Sequence, residues 1–563
     1  MLALELLTKS SALFLFFLFI FLCPGLFVSR LIGFEVSGLR LLLLFSFSIF
    51  YLLIITVLCL PNSSMHQWAS VVLTLSLVPP MIFFLQKLWQ SPKLLFDCWF
   101  PLLCLFLFYL LCTVMSYGPT FEPSEGISLR VASMFSLPID NLIPYNTARF
   151  FLERISPLER EVVPTWNVLE RGPVSGLLVA SVFFLLRVKE YGAWLSPDED
   201  SYFIYQQLLM FLNSFALVAV WEVASKFGGR RAGSFSVLFL ISTFFFLLNT
   251  VYTWPKFFMA SLLLLSLVMG FHYRKFAFSG LLFALSVFIH DSAVFCLPGY
   301  FAVLIWQIFV GKKYRKKDFI HLLLFSVFPI LSWQLIKSSY SVDSSRMLYH
   351  HLLCWQEVEL PKEPIFLAYV DYLKNQSLSD LLALKISNLW YPFDLFHVFD
   401  ANIKSVASLY NALSHLSFFQ FVHGVSFIAV AMVIFSICVE RGQSKTRSLV
   451  LVTFGALFFA AIVYGCRLST WSHHWAYPAF LTTSIVVGLQ ASVSARRLVC
   501  FSLAVIFNIL IWWNKYSVVS KGQEFISVFI IVQLILFVSL ISILLISTLS
   551  SDFREKMRGK VMR

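Results

Sequence analysis

Apolar runs about 20 residues long, the length a helix needs to cross the hydrocarbon core of a bilayer, recur from one end of the chain to the other. They fall at roughly 11–29, 39–60, 68–87, 97–115, 203–224, 232–250, 256–272, 276–290, 293–310, 319–337, 417–439, 449–465, 476–493, 498–514 and 524–547. Charged residues gather in the gaps. The pattern predicts an all-α polytopic membrane protein of about 15 transmembrane helices, with interfacial helices in a large first outer loop.

One further apolar run, "GPVSGLLVASVFFLL" at 172–186, is short for a crossing. If it crossed, the basic loops before and after it would face opposite sides. If it lies in the interface, every basic loop from Arg30 onward falls on one side, as the positive-inside rule requires. The expectation is a juxtamembrane helix. The loops 61–68, 116–202, 250–256, 290–292, about 338–416, 465–478 and 515–523 then face outward, with the N-terminus outside and the C-terminus inside. The run from Ser11 to Val28 is too long for a signal peptide and lacks a basic start, so it reads as a retained span.

Composition agrees. The 563 residues are 59% hydrophobic and 13% charged, far from the roughly 25% charge of a soluble domain. The 63 Phe read as lipid-facing bulk. The net charge of +13 sits in short loops such as "GGRRAG", "GKKYRKKD" and "ERGQSKTR", which marks the inner face of a membrane and excludes a nucleic-acid partner. The ten Cys show no metal-binding spacing, and no metal site is expected. Glu222, near the inner end of its span and close to Lys226, reads as snorkelling or paired.

The polar chemistry lies outward. The loop 116–202 carries eleven acids, among them Asp140, and the segment "DNLIPYNTARFFLE" (140–153) opens with that acid and runs to an aromatic and "ARFF". "ERGPVSGLL" (170–178), "WEVASKFGGRRAG" (221–233), "FFFLLNTVYTWPKFFMA" (244–260) and "GLLFALSVFIHDSAVFCLPG" (280–299) follow. In this order and spacing the segments resemble membrane glycosyltransferases of the C superfamily (GT-C), such as protein mannosyltransferases and aminoarabinose transferases. The resemblance covers roughly residues 95–310. It implies sugar transfer from a polyprenyl-phosphate donor to a lipid, glycan or protein acceptor at the outer leaflet, with Asp140 as the catalytic base. A carboxylate partly desolvated at the interface suits that task; the other reading of Asp140 is an N-cap for the helix that follows. Relatives often carry an acid in the second outer loop. Here Lys256 stands there instead, which puts a metal-dependent, two-carboxylate mechanism in doubt and leaves the cofactor unknown, with a divalent cation not indicated.

Other residues suit substrate binding. Lys256 is either a point charge for a lipid phosphate or a snorkelling lysine at a helix start. His290 and Asp291 interrupt an apolar hairpin, where an ionisable pair is a functional candidate and a plain turn is the alternative. Arg171, Arg467, His473 and His474 are candidate contacts for a phosphate head group; for the last three a plain interfacial loop is the alternative, with a metal at the two histidines a weaker one, since neighbours on a helix do not share a face. Asn375 in "NQS" fits a glycosylation acceptor, and amphipathic parts of 338–416 read as interfacial helices. The expected organisation is 1–94, extra N-terminal spans; 95–337, the GT-C-like membrane module with outer loop 116–202; 338–416, an outer subdomain; and 417–563, C-terminal transmembrane helices. The expected location is a bacterial inner membrane or its equivalent, with the site outward and membrane lipids as partners. A transporter or flippase of a lipid-linked saccharide, a surface-polysaccharide polymerase or ligase, and a non-catalytic scaffold are the competing readings.

Overall fold

The computed structural model describes residues 2–34, 39–60, 67–90, 93–117, 139–163, 166–340, 349, 352–353, 364–390, 427–439, 444–465, 476–519 and 538. Apart from a two-residue hairpin pairing Gly192–Ala193 with Ser196–Pro197, the named elements are helices. Among the described residues seven helices are long and apolar enough to cross a membrane: Leu4–Leu31, Arg40–Cys59, Ala69–Gln90, Glu199–Ser242, Asp291–Phe309, Lys316–Ser339 and Thr446–Val463. A bent pair, Phe245–Val251 and Lys256–Phe271, makes an eighth if it is one broken span. Shorter apolar helices cover Cys98–Val114, Val174–Leu186, Phe276–Ile289 and Tyr477–Val493. This is an all-α membrane protein. The run expected at 524–547 lies outside the described residues apart from Val538.

The stretch Glu199–Ser242 holds more than one helix. Gly229 has φ +80° and ψ 173°, outside the helical region and accessible to glycine at low cost. A Cβ on Gly233 would lie 2.0 Å from Ser225 Oγ and 2.9 Å from the Trp221 carbonyl. In a straight helix eight residues span about 12 Å. The chain therefore turns back on itself at "GGRRAG", where the charge pattern placed a loop.

The helix Val174–Leu186 forms where the interfacial helix was expected. Its 13 residues reach about 20 Å, short of a crossing. It is buried from Val174 to Phe183 rather than lying on a lipid surface, and it packs against Ile143–Glu153 and Arg40–Cys59. Its Ser181 hydroxyl meets Thr56 Oγ1 at 2.6 Å.

Two expectations are corrected. Many phenylalanines are core rather than lipid-facing bulk: Phe17, Phe21, Phe45, Phe211 and Phe215 are fully buried, and the rings of Phe45 and Phe215 stack at 3.8 Å. Aromatic pairs of this kind add to the energy of burial. Glu222 does not snorkel. It is 3% exposed, and its two carboxylate oxygens accept from the Leu41 and Leu42 N–H groups at 2.8 and 2.9 Å. Those are orphan donors of the first turn of Arg40–Cys59, a helix with no side-chain cap of its own. A carboxylate from a helix 180 residues away does the capping.

Candidate functional site

The site begins at the turn Ile139–Leu142 and the helix Ile143–Glu153. Tyr145 Oη reaches the Tyr191 carbonyl at 2.8 Å and Ser201 Oγ at 2.7 Å. Asn146 Nδ2 donates to the carbonyls of Val162 and Trp194 at 2.8 and 3.2 Å. Arg149 pairs with Glu153 at 2.6 Å and lies over the Trp194 ring at 4.6 Å. These contacts tie the helix to Val162, Tyr191, Trp194 and Ser201. Asp140 lies in the turn, and its side chain is outside the described residues. The N-cap position of the helix is Leu142, without a side-chain cap, so Asp140 is not its N-cap.

A broken helix meets that turn. Phe245–Val251 and Lys256–Phe271 are bent by 113° around the sequence "YTWP". Pro255 stands at the N-cap of the second run, where its missing N–H leaves no intrahelical bond unmade. The break frees backbone groups, and Asn213 takes several of them. Its Nδ2 donates to the Trp254 carbonyl at 2.8 Å and the Asn249 carbonyl at 3.5 Å, and its Oδ1 accepts from Phe258 N–H at 3.1 Å. Tyr477 Oη bonds Asn249 Oδ1 at 2.5 Å. The helix start is thereby held with Lys256 in its first turn. Lys256 is 2% exposed; its Nζ lies 3.7 Å from the centroid of the Trp254 ring and 5.3 Å from that of Tyr477. It is enclosed, not snorkelling.

Residues from four distant parts of the chain then surround one small cavity of about 40 Å³: Pro144 and Thr147, Arg171 and Gly172, Trp254 and Lys256, and His290. The loop bearing Arg171 is pressed against the end of Phe276–Ile289. A Cβ on Gly172 would sit 2.0 Å from the Phe288 carbonyl oxygen. The Arg171 guanidinium lies over the Trp166 ring at 4.8 Å. His290 is 8% exposed, and its Nδ1 accepts from Ser292 N–H at 3.3 Å and meets Ser292 Oγ at 2.9 Å. Burial first, and then the charges of Arg171 and Lys256, push its pKa well below the usual histidine value. The ring is neutral, with Nε2 carrying its proton.

A larger cavity of about 290 Å³ adjoins the first and shares Arg171, Gly172 and His290 with it. Its charged wall is Glu170, Asp291 and Lys337, and Phe288, Val294, Phe295, Ile330 and Trp333 line the rest. The Gly172 N–H, Arg171 and Lys337 all face the Asp291 carboxylate. Lys337 Nζ also donates to the Glu170 carbonyl at 3.3 Å.

Four of the expected site residues, Arg171, Lys256, His290 and Asp291, therefore converge. Arg467, His473 and His474 lie outside the described residues; Tyr464 lines the larger cavity and Tyr477 faces Lys256. Among the described residues no group of three or more His, Cys, Asp or Glu is placed to hold a metal ion. Sequence reasoning missed Lys337, Trp333 and Asn213. The signal for the first two was present, since "WQLIK" at the end of a span puts Trp333 and Lys337 one turn apart on one face. No protein-family model matches the chain, and neither does any curated protein or solved structure.

Proposed function

We propose that the chain is a GT-C-like membrane glycosyltransferase, with about 15 transmembrane helices by the span-length rule. It moves a sugar from a polyprenyl-phosphate-linked donor to an acceptor at the outer leaflet. The observation that carries the reading is the pairing of two adjoining cavities: a small one with two cations and a neutral imidazole, and a larger one with mostly apolar walls. An amphiphile with an anionic head and a greasy tail matches that pairing. Arg171, Lys256 and the start of the helix Lys256–Phe271 favour a phosphate, and favour it more as charge builds on the leaving oxygen. Nε2–H of His290 adds a neutral donor. Asp140, in the turn beside this pocket, takes the proton of the acceptor hydroxyl as its oxygen attacks the anomeric carbon, and the phosphate departs with the electron pair of the broken C–O bond.

A second reading, a transporter of a lipid-linked saccharide, is favoured by the broken helix before Lys256, because interrupted helices often line substrate sites in transporters. One experiment separates them. Sugar transfer from polyprenyl-phosphate donors is measured with the purified chain in proteoliposomes, alongside translocation of the same donors. The enzyme reading expects transfer by the wild type, its loss in Asp140→Asn, and weakened donor use in Lys256→Met and Arg171→Met. Translocation without transfer would establish the second reading, and an Asp140→Asn variant with wild-type transfer would remove Asp140 as the base.

A further inference from the structure

The helices Ile365–Asn375 and Leu378–Trp390 form a pair joined at Gln376 and Ser377. The pair docks on the end of the spanning helix Ser444–Val463. Any helix leaves its last carbonyls without intrahelical partners. Here Asn388 Nδ2 donates to Ala461 O at 3.4 Å, Tyr369 Oη to Val463 O at 3.1 Å, Lys385 Nζ to Tyr464 O at 2.5 Å and Tyr372 Oη to Gly465 O at 2.7 Å. The Lys385 cation also complements the negative end of the helix dipole.

This docking fixes depth. The apolar window of the span, Thr446–Val463, is 18 residues, about 27 Å, just short of a hydrocarbon core of roughly 30 Å, so none of it is left over. Its final carbonyls, and the pair that holds them, stand where hydrocarbon gives way to head groups. The span's own exposed apolar stripe, Leu451, Phe458 and Ile462, runs to that same end.

The second helix divides its surface three ways. Leu381 and Leu384, both half-buried, and the buried Asn388 form the covered side. Leu378, Leu382 and Ile386, at successive i, i+4 positions, are 72%, 53% and 64% exposed. Asp380 and Ser387 are exposed on the remaining side. The first helix adds Phe366 at 72% and Leu367 at 53% exposure. A helix lying at a membrane surface against a protein needs these three sides: protein, lipid and water.

We propose that this helix pair is a lipid-surface anchor, with Phe366, Leu378, Leu382 and Ile386 inserted at the boundary of head groups and acyl chains in the leaflet on the side of the site. Tyr464, whose carbonyl the pair holds, lines the larger cavity, so the anchor sets that cavity at head-group depth. The assignment stands whether the chain transfers or transports.

The test places an environment-sensitive fluorescent amino acid at position 366, 382, 386 or 387 of the full chain, reconstituted in phosphatidylcholine–phosphatidylglycerol nanodiscs. Blue-shifted emission at 366, 382 and 386, quenched by brominated lipid and shielded from iodide, is the expected result. Position 387 should show the opposite quenching. Iodide quenching at 382 and 386 equal to that at 387 would overturn the proposal by placing the stripe in water. Shielding from both quenchers would overturn it in favour of a protein cover, whether a second copy or another part of this chain.

Discussion

Thr253 Oγ1 donates to the carbonyl of Asn141 at 3.0 Å, which ties the turn that carries Asp140 to the break in the helix ahead of Lys256. Tyr205 Oη holds the same carbonyl at 2.5 Å. Two hydroxyls from two segments thus hold one backbone oxygen, that of the residue after the proposed base.

Thr253→Val removes one of these bonds while keeping the side chain's shape. A hydrogen bond is worth about 1 kcal/mol, so sugar transfer should fall about fivefold. The double variant with Tyr205→Phe should fall further. Transfer rates at saturating donor check this, and wild-type rates in both variants would deny the tether a role.

Glu222→Ala should lower stability without acting on the site. It leaves the N–H groups of Leu41 and Leu42 buried without their acceptor. The loss should be about 2 kcal/mol or more, since two buried donors are left unsatisfied. Thermal unfolding in detergent reads it. Donor affinity of the fraction that remains folded should match the wild type.

Gly172→Ala should damage the site through its backbone. The added Cβ meets the Phe288 carbonyl at 2.0 Å, a backbone atom that has little room to give. Overpacking of this kind costs about 1–3 kcal/mol and displaces Arg171 from both cavities. Gly455→Ala is the control, because a Cβ there meets nothing closer than 4.0 Å. Donor binding by the two variants is the measurement: a large loss is expected for the first and none for the second.

His290 gives a pH dependence of known sign. Its folded pKa lies well below 6.5, chiefly through burial. As pH falls below the usual histidine value, the unfolded chain takes up a proton that the folded one refuses. This group's contribution is therefore intact above that value and is lost as pH drops towards the folded pKa. Unfolding midpoints of His290→Gln should decline less steeply with acid than those of the wild type. Parallel curves would show that the imidazole does not refuse its proton.

Read one residue at a time, the chain already announces its solvent. Runs of apolar residues at span length, basic loops between them and an excess of phenylalanine leave a membrane protein built of helices as the one economical solution, since backbone groups in lipid must be satisfied within each segment. The turn at Gly229 was legible from "GGRRAG", and the ionisable residues Arg171, Lys256, His290 and Asp291 were legible because charge is costly in apolar runs. That these four meet was not legible, because periodicity along a helix carries no information on which helix lies beside it. The same limit hid the work of Glu222, whose partners are 180 residues away, and of Asn213, which satisfies a break in a helix it is not part of. It also hid the sidedness of Phe residues, since a ring facing lipid and a ring facing Phe215 read alike in sequence. Local chemistry decided what each segment is; only packing decided which polar groups share a cavity and which cap one another's orphaned backbone.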